Sequence, residues 1–340
     1  MAFLRCFGYN VKRGGVADVR VFAEGDKEDQ SDSTMTAGAT RYTSDKLKKF
    51  TMNFSNSNII ACGGFSRVYL ANFPDSSLKA VKIMDRSSER LNRIYKQELD
   101  ILVKIQHDNI VKLLDHCDDD EFGNMLVFEY VPKGTLQDKL HGNNTILSWR
   151  NRMAVAFQLA QAIDYLHDKC ALQIVHSDIK SSNILLDDQF NCKLCDFGSA
   201  KIGFSSSISP PTNRVMLGSP GYTDPHYLRT GIASKKNDIY SFGVIILELI
   251  SGVEAFSSVS GERLISKAAS ILNDASKVAE IMDPRLDRNY VLEEAKAMVT
   301  LAALCLSDFP GLRPSASEIL ENMRSRISSI SFLCSVGKKV

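Results

Sequence analysis

The sequence predicts an α+β fold of two lobes, a small one made mainly of strands followed by a larger one made of helices. Three observations lead there. Residues 47–129 hold short strand-like apolar runs and a single helical stripe, with turn residues between them. After Pro132 the apolar spacing becomes helical and stays so. The chain, at 340 residues, exceeds one small core and suits one large bilobal domain.

The elements follow in order. Residues from about 24 to 46 are rich in Asp, Glu, Ser, Thr and Gly with few large apolar groups, so residues 1–46 read as a disordered leader. Ile60-Ala61, Val68-Tyr69-Leu70 and residues 78–84 read as strands. Leu91, Ile94, Leu99, Leu102 and Ile105 set a helix over residues 90–105. The clearest later helices cover 150–167, 238–251 and 291–306. The expected domain is therefore 47–326, divided into lobes of about 47–131 and 132–326, with 327–340 as a tail. No internal repeat is evident.

A formal net charge of +1 gives no global field that would draw nucleic acid, and none is expected as a partner. The eight cysteines form no repeating framework. Cys192 and Cys195 make a C-x-x-C, but in a strand-like run they point to opposite faces, which disfavours one metal or one disulfide. Reduced thiols and a cytoplasmic protein are expected. The apolar start, Met1-Ala2-Phe3-Leu4-Arg5-Cys6-Phe7, falls far short of the roughly 20 residues of a membrane span. Residues 244–250 carry Glu248 and read as a buried helix. Ala2 excludes N-myristoylation. Cys6 is an acylation candidate, with an ordinary cysteine as the plainer reading.

The chemistry-bearing motifs come in one order. Ile60-Ala61-Cys62-Gly63-Gly64-Phe65-Ser66-Arg67-Val68 is a glycine-containing turn between strands, open to phosphate or simply a hairpin. Lys82 ends an apolar strand and needs a partner, which Glu98 on the following helix can supply. His176-Ser177-Asp178-Ile179-Lys180-Ser181-Ser182-Asn183 precedes Lys193-Leu194-Cys195-Asp196-Phe197-Gly198. Asp178, Asn183 and Asp196 offer hard oxygens suited to Mg²⁺, and Lys180 adds positive charge beside them. Together these fit the needs of phosphoryl transfer from ATP: a phosphate cover, a cation, metal ligands and a group to orient the incoming hydroxyl.

With these motifs the chain resembles the eukaryotic protein kinases, and within them the plant receptor-like kinases and their cytoplasmic relatives, over roughly residues 47–326. Further matches are Phe54-Ser55, His107-Asp108-Asn109-Ile110-Val111-Lys112-Leu113 and Leu126-Val127-Phe128-Glu129-Tyr130-Val131-Pro132-Lys133-Gly134-Thr135-Leu136. Later ones are Gly218-Ser219-Pro220-Gly221-Tyr222, Asn237-Asp238-Ile239-Tyr240-Ser241-Phe242-Gly243, Met282-Asp283-Pro284-Arg285-Leu286 and Leu312-Arg313-Pro314-Ser315.

The resemblance implies a protein-kinase-like fold and a set of roles. Asp178 is the expected catalytic base, with Lys180 beside it in the serine/threonine pattern. Asn183 and Asp196 are expected to bind Mg²⁺, with Mn²⁺ as an alternative. Ile60 to Ser66 would cover the ATP phosphates and Lys82, held by Glu98, would anchor them. Val68, Ala80 and Leu185 would sandwich adenine, Glu129 and Val131 would offer it backbone hydrogen bonds, and Phe128 would be gatekeeper. Leu102, Leu113, His176 and Phe197 would stack as an apolar spine, which makes His176 structural. The expected partners are protein substrates and a membrane receptor or receptor-like kinase, in the cytoplasm or peripheral at the plasma membrane.

Three departures stand out. Ser177 replaces the arginine that usually precedes the catalytic aspartate. Asp224-Pro225-His226 stands for Ala-Pro-Glu, so the usual glutamate partner of Arg313 is missing and the helical lobe loses a support. Ala61 and Ser66 replace two loop glycines. The alternative reading is a pseudokinase-like scaffold that binds partners without catalysis, against which the complete charged set of Lys82, Glu98, Asp178, Lys180, Asn183 and Asp196 argues. Ser205, Ser206, Ser207, Ser209 and Thr212 are phosphorylation candidates, for which Lys201 and Arg214 would be substitute cations. The plainer reading is that they keep an exposed loop soluble, and because Ser177 cannot pair with a loop phosphate they are expected to be dispensable for activity.

Overall fold

The computed structural model describes residues 42–119, 121–142, 146–203 and 218–334. The chain divides into two compact units, one running to Leu91 and including Leu114–Phe128, the other comprising Asn92–Leu113 and Glu129 onward. The expected lobe break near 131 thus falls three residues past Phe128, and Asn92–Leu113 groups with the helical unit.

The first unit opens with α1 (Ser44–Phe50), followed by β1 (Ile59–Cys62), β2 (Ser66–Asn72) and β3 (Leu78–Met84). After α2 (Glu89–Leu102) the chain adds β4 (Leu113–Asp119) and β5 (Gly123–Glu129), and the five strands form one sheet in the order β1-β2-β3-β5-β4. The β2–β3 register pairs Val68 with Lys82, Leu70 with Ala80 and Tyr69 with Val81. Strand side chains alternate between faces. One face supplies Ala71, Phe73, Val81, Met125 and Val127, which bury against Leu47 of α1. Val68, Leu70, Ala80 and Lys82 therefore share the other face.

The expected leader extends too far. Tyr42 is already anchored, its N–H donating to Asp115 Oδ2 at 2.8 Å and its hydroxyl accepting from Lys79 at 2.9 Å. Its ring meets Phe73 edge-on at 5.0 Å. One aromatic ring at the end of a polar stretch is enough to start the fold ahead of Leu47. Residues 1–41, with Cys6, lie outside the described residues.

The second unit is mainly helical. It holds α3 (Leu136–His141), α4 (Trp149–Asp164) continuing as a wider turn through Lys169, then α5 (Pro225–Thr230) and α6 (Lys235–Ser251). Short α7 (Leu264–Lys267) and α8 (Ala269–Asn273) precede α9 (Leu292–Cys305), α10 (Ala316–Arg326) and α11 (Ser331–Cys334). Ser148 caps α4, and capping boxes start α3, α6 and α10. At Gly243 an added Cβ would sit 2.8 Å from both Cys305 Cβ and Leu306 Cγ, so the missing side chain lets α6 lie close on α9. Two small ribbons, β6 (Ile174–Val175) with β9 (Lys201–Ile202) and β7 (Ile184–Leu186) with β8 (Cys192–Leu194), frame the chemistry-bearing loop.

The expected tail at 327–340 is only partly a tail. Ile327 and Ile330 are buried, and Ser328 and Ser329 bond to Glu294. The apolar pattern of 327–334 is too short to read as a helix, and its partner carboxylate comes from α9. Residues 335–340 lie outside the described residues.

Candidate active site

The loop between β6 and β7 is shaped by one buried carboxylate. Asp238, in the first turn of α6, accepts from His176 N at 2.8 Å, Ser177 N at 2.9 Å and His167 Nε2 at 2.9 Å. Those bonds hold the loop while Ser177 takes φ +66°, an unusual conformation for a residue with a Cβ. His176 Nδ1 accepts from Asp178 N at 3.3 Å, so its Nε2 carries the proton donated to the Cys195 carbonyl at 3.1 Å. With both ring nitrogens committed and its ring edge-on to Phe197 at 4.8 Å, His176 has a positioning role. Both rings are fully buried in the second unit.

The Asp178 carboxylate gathers three donors. Lys180 Nζ lies 2.8 Å from Oδ2, Asn183 Nδ2 3.1 Å from Oδ2, and Ser219 Oγ 2.7 Å from Oδ1. Lys180 also donates to Ser219 Oγ at 3.0 Å and is almost wholly buried. These donors orient the carboxylate, whose side chain is 16% exposed.

Cys195 N donates to Asn183 O at 2.9 Å, which brings Asp196 beside Asn183. The Asn183 amide nitrogen is spent on Asp178, so only its oxygen could serve a cation. Among the described residues no group of three or more His, Cys, Asp or Glu could hold a metal by itself. Two hard oxygens fit Mg²⁺, which keeps waters and substrate phosphate oxygens in its shell. Glu98 of α2 is buried, and its Oε2 lies 3.7 Å from where a Gly198 Cβ would stand, with Asp196 Oδ1 3.6 Å from the same point. Gln97 of α2 donates to the Ala200 carbonyl.

The remaining expected nucleotide residues divide between the units. In the first, Ile60, Ala61 and Cys62 end β1, and Gly63 N bonds Ser66 O at 2.7 Å across the turn. Phe65 at the tip is exposed, and Gly64 has open space around it. Val68, Ala80 and Lys82 share a face, as described, and Phe128 is buried near the end of β5. In the second, Glu129 N donates to Lys112 O at 3.1 Å, so any adenine contact by its backbone falls to its carbonyl. Its carboxylate takes Lys112 N and Lys193 Nζ, each at 2.9 Å. Val131 is buried, and Leu185 pairs with Lys193 across β7–β8.

Cys192 is fully buried in β8, and burial pushes its thiol pKa up. Cys195 lies one residue past the end of that strand and is half-buried, so strand alternation does not reach it.

The structure supplies a partner that the sequence seemed to lack. Arg313 pairs with Asp224, Nη1 to Oδ2 at 2.6 Å and Nη2 to Oδ1 at 3.0 Å, both side chains buried. The carboxylate comes from two residues before His226, because Asp224 is the N-cap of α5 and faces inward, taking His226 N at 2.8 Å and Asn237 Nδ2 at 2.7 Å. Ser219 and Asp238 sat in matched motifs without an assigned role, and only their distant bonds reveal one. The acceptors Ser205, Ser206, Ser207, Ser209 and Thr212, with Arg214, lie outside the described residues. Lys201 Nζ stands 5.2 Å from the Tyr227 ring centre.

Residues 54–323 match the protein kinase domain family. The chain is similar to a probable receptor-like protein kinase of Arabidopsis thaliana, 50% identical over 88% of this chain and 93% of that protein. It is 42% identical to salt tolerance receptor-like cytoplasmic kinase 1 of Oryza sativa subsp. japonica, over 96% and 93% of the two chains. With serine/threonine-protein kinase PBL13 of Arabidopsis thaliana it shares 37% identity over 86% of this chain and 61% of that one.

Proposed function

This chain belongs to the protein kinase family, and on that premise we propose that Asp178 is its catalytic base and Lys180 the cation beside the transferred group. It is an ATP-dependent serine/threonine protein kinase of the plant receptor-like group, acting on protein substrates with a divalent metal. Bound ATP with Mg²⁺ supplies the phosphoryl group and the charge that neutralises its oxygens. Asp178 takes the hydroxyl proton of the substrate while Ser219 and Asn183 keep its carboxylate aimed. Lys180 stabilises negative charge growing on the transferred group. Asn183 and Asp196 hold the metal through oxygen, and Lys82 anchors the ATP phosphates. The adenine is held by Val68, Ala80, Leu185 and the backbone of Glu129 and Val131.

The observation that carries this reading is the Asp178 carboxylate with its three donors, an arrangement a non-catalytic scaffold has no physical need to keep. Asp178→Asn is expected to lower phosphate transfer to a generic protein substrate by about 10²–10⁴-fold with the fold intact. Lys82→Met is expected to raise KM for ATP and abolish transfer at ordinary nucleotide levels. Near-wild-type rates in both variants would sink the assignment.

No helix among the described residues is long and apolar enough to cross a membrane. The protein works in the cytoplasm, peripheral to the plasma membrane, under a receptor or receptor-like kinase. The match to a relative named a receptor-like cytoplasmic kinase supports this placement.

A further inference from the structure

Glu294, in the first turn of α9, is a buried carboxylate with four donors. Trp149 Nε1 reaches its Oε2 at 2.7 Å, and Ser329 Oγ the same oxygen at 2.6 Å. Ser328 Oγ at 2.7 Å and Ser329 N at 2.8 Å reach Oε1. The carboxylate thus ties the start of α4 to the turn at 328–330, which keeps Ile327 and Ile330 buried. Past the turn, Phe332 lies under the Arg150 guanidinium at 4.2 Å. A carboxylate only accepts, so the tie lasts while the serines keep their hydroxyl protons. Ser328 is exposed and Ser329 half-buried, so Ser328 is the more accessible of the two.

We propose that Ser328 is a phosphorylation site, and that its modification by this kinase opens the Glu294 latch and releases residues 327–334 from α4 and α9. The proposal rests on the chain being an active kinase. Ser328 Oγ bonds to the γ-phosphorus of ATP as the bond from that phosphorus to the β–γ bridging oxygen breaks. ADP leaves with the electron pair, and the hydroxyl proton passes to Asp178. The new group carries about −1.5 to −2 charge at pH 7, where a proton had bridged two oxygens 2.7 Å apart. Phosphate and carboxylate then repel in a site where Glu294 is 2% exposed, and screening by water is weak. Release uncovers Ile327 and Ile330, an apolar strip the folded chain hides. Arg324 and Arg326, both exposed, are the cations near enough in sequence to capture the phosphate instead and keep the segment in place.

The test uses the full chain with Mg²⁺ and ATP, and also the Asp178→Asn protein as substrate of the wild type. Phosphopeptide mapping is expected to find phosphate on Ser328 in both, and none when Asp178→Asn is incubated alone. Trp149 is the sole tryptophan of the chain, so its fluorescence reports the latch directly. With phosphorylation its emission is expected to move to longer wavelength, and hydrogen exchange over 327–334 to quicken at least tenfold. Ser328→Ala, which retains both Ser329 bonds, is expected to show no ATP-dependent change. Transfer to a generic protein substrate is measured in parallel. If nothing is phosphorylated, the kinase reading fails, and phosphoserine installed at 328 decides the latch by itself. An active enzyme that leaves Ser328 unmodified overturns the proposal. So does a phosphoserine-328 protein whose 327–334 segment exchanges as slowly as before.

Discussion

Replacing Asp224 by alanine removes the partner of Arg313 and leaves a guanidinium buried without its counter-charge. The two side chains are each 1% exposed and joined by two bonds, so breaking the pair belongs to the class of changes costing about 3–5 kcal/mol. The same substitution strips the N-cap of α5, worth about 1 kcal/mol. For a unit of this size each kcal/mol moves the unfolding midpoint by about 2–4 °C, so a fall on the order of 10 °C is expected in calorimetry. The double variant Asp224→Leu with Arg313→Met, which buries no orphan charge, is expected to lose less than the single one. Acid should weaken the pair as well. Burial raises the Asp224 pKa, but the Arg313 contacts and the His226 amide outweigh it and hold it below the usual carboxylate value. Its stabilisation is therefore complete above the unfolded pKa near 3.9 and is lost as pH falls through the lower folded value. An Asp224→Ala protein melting within about 2 °C of the wild type would refute the argument.

Ser219→Ala removes the hydroxyl between Asp178 and Lys180; a hydrogen bond to a charged group of about 1.5–3 kcal/mol predicts a kcat roughly 10- to 100-fold lower, read in steady-state assays with ATP saturating. Gly243→Ala forces a methyl against Cys305 and Leu306, and is expected to destabilise the protein by about 1–3 kcal/mol in urea unfolding while leaving the midpoint slope unchanged. An ATP-site electrophile at mildly alkaline pH is expected to label Cys195 and spare Cys192, whose thiol is buried with its pKa pushed up, and excess ATP should protect Cys195; equal labelling of both by mass spectrometry would count against this.

Much of the catalytic loop was legible because its chemistry is local. His176, Asp178, Lys180 and Asn183 lie within eight residues, and the short β6 and β7 either side leave them one compact loop. Strand alternation puts Ala80 and Lys82 on one face of β3, while their pairing with Leu70 and Val68 is set by the turn between the strands. The long helices likewise appear within about three residues of their apolar stripes, since a 3.6-residue period is written into the chain itself.

What the sequence by itself determined was therefore the order of elements, the kinase resemblance and the identity of the charged groups. The tertiary structure decided which distant groups they meet. Arg313 finds Asp224 across 89 residues, and the carboxylate missing at 226 is supplied from two residues earlier. Ser219 closes on Asp178 across 41 residues, and Ser328 on Glu294 across 34. Tyr42 joins the fold because Asp115, Lys79 and the Phe73 ring await it. Periodicity encodes which face of an element is buried, because that choice is made within a few turns of chain. Which donor a buried carboxylate receives depends on how those faces pack, and no local spacing carries that information.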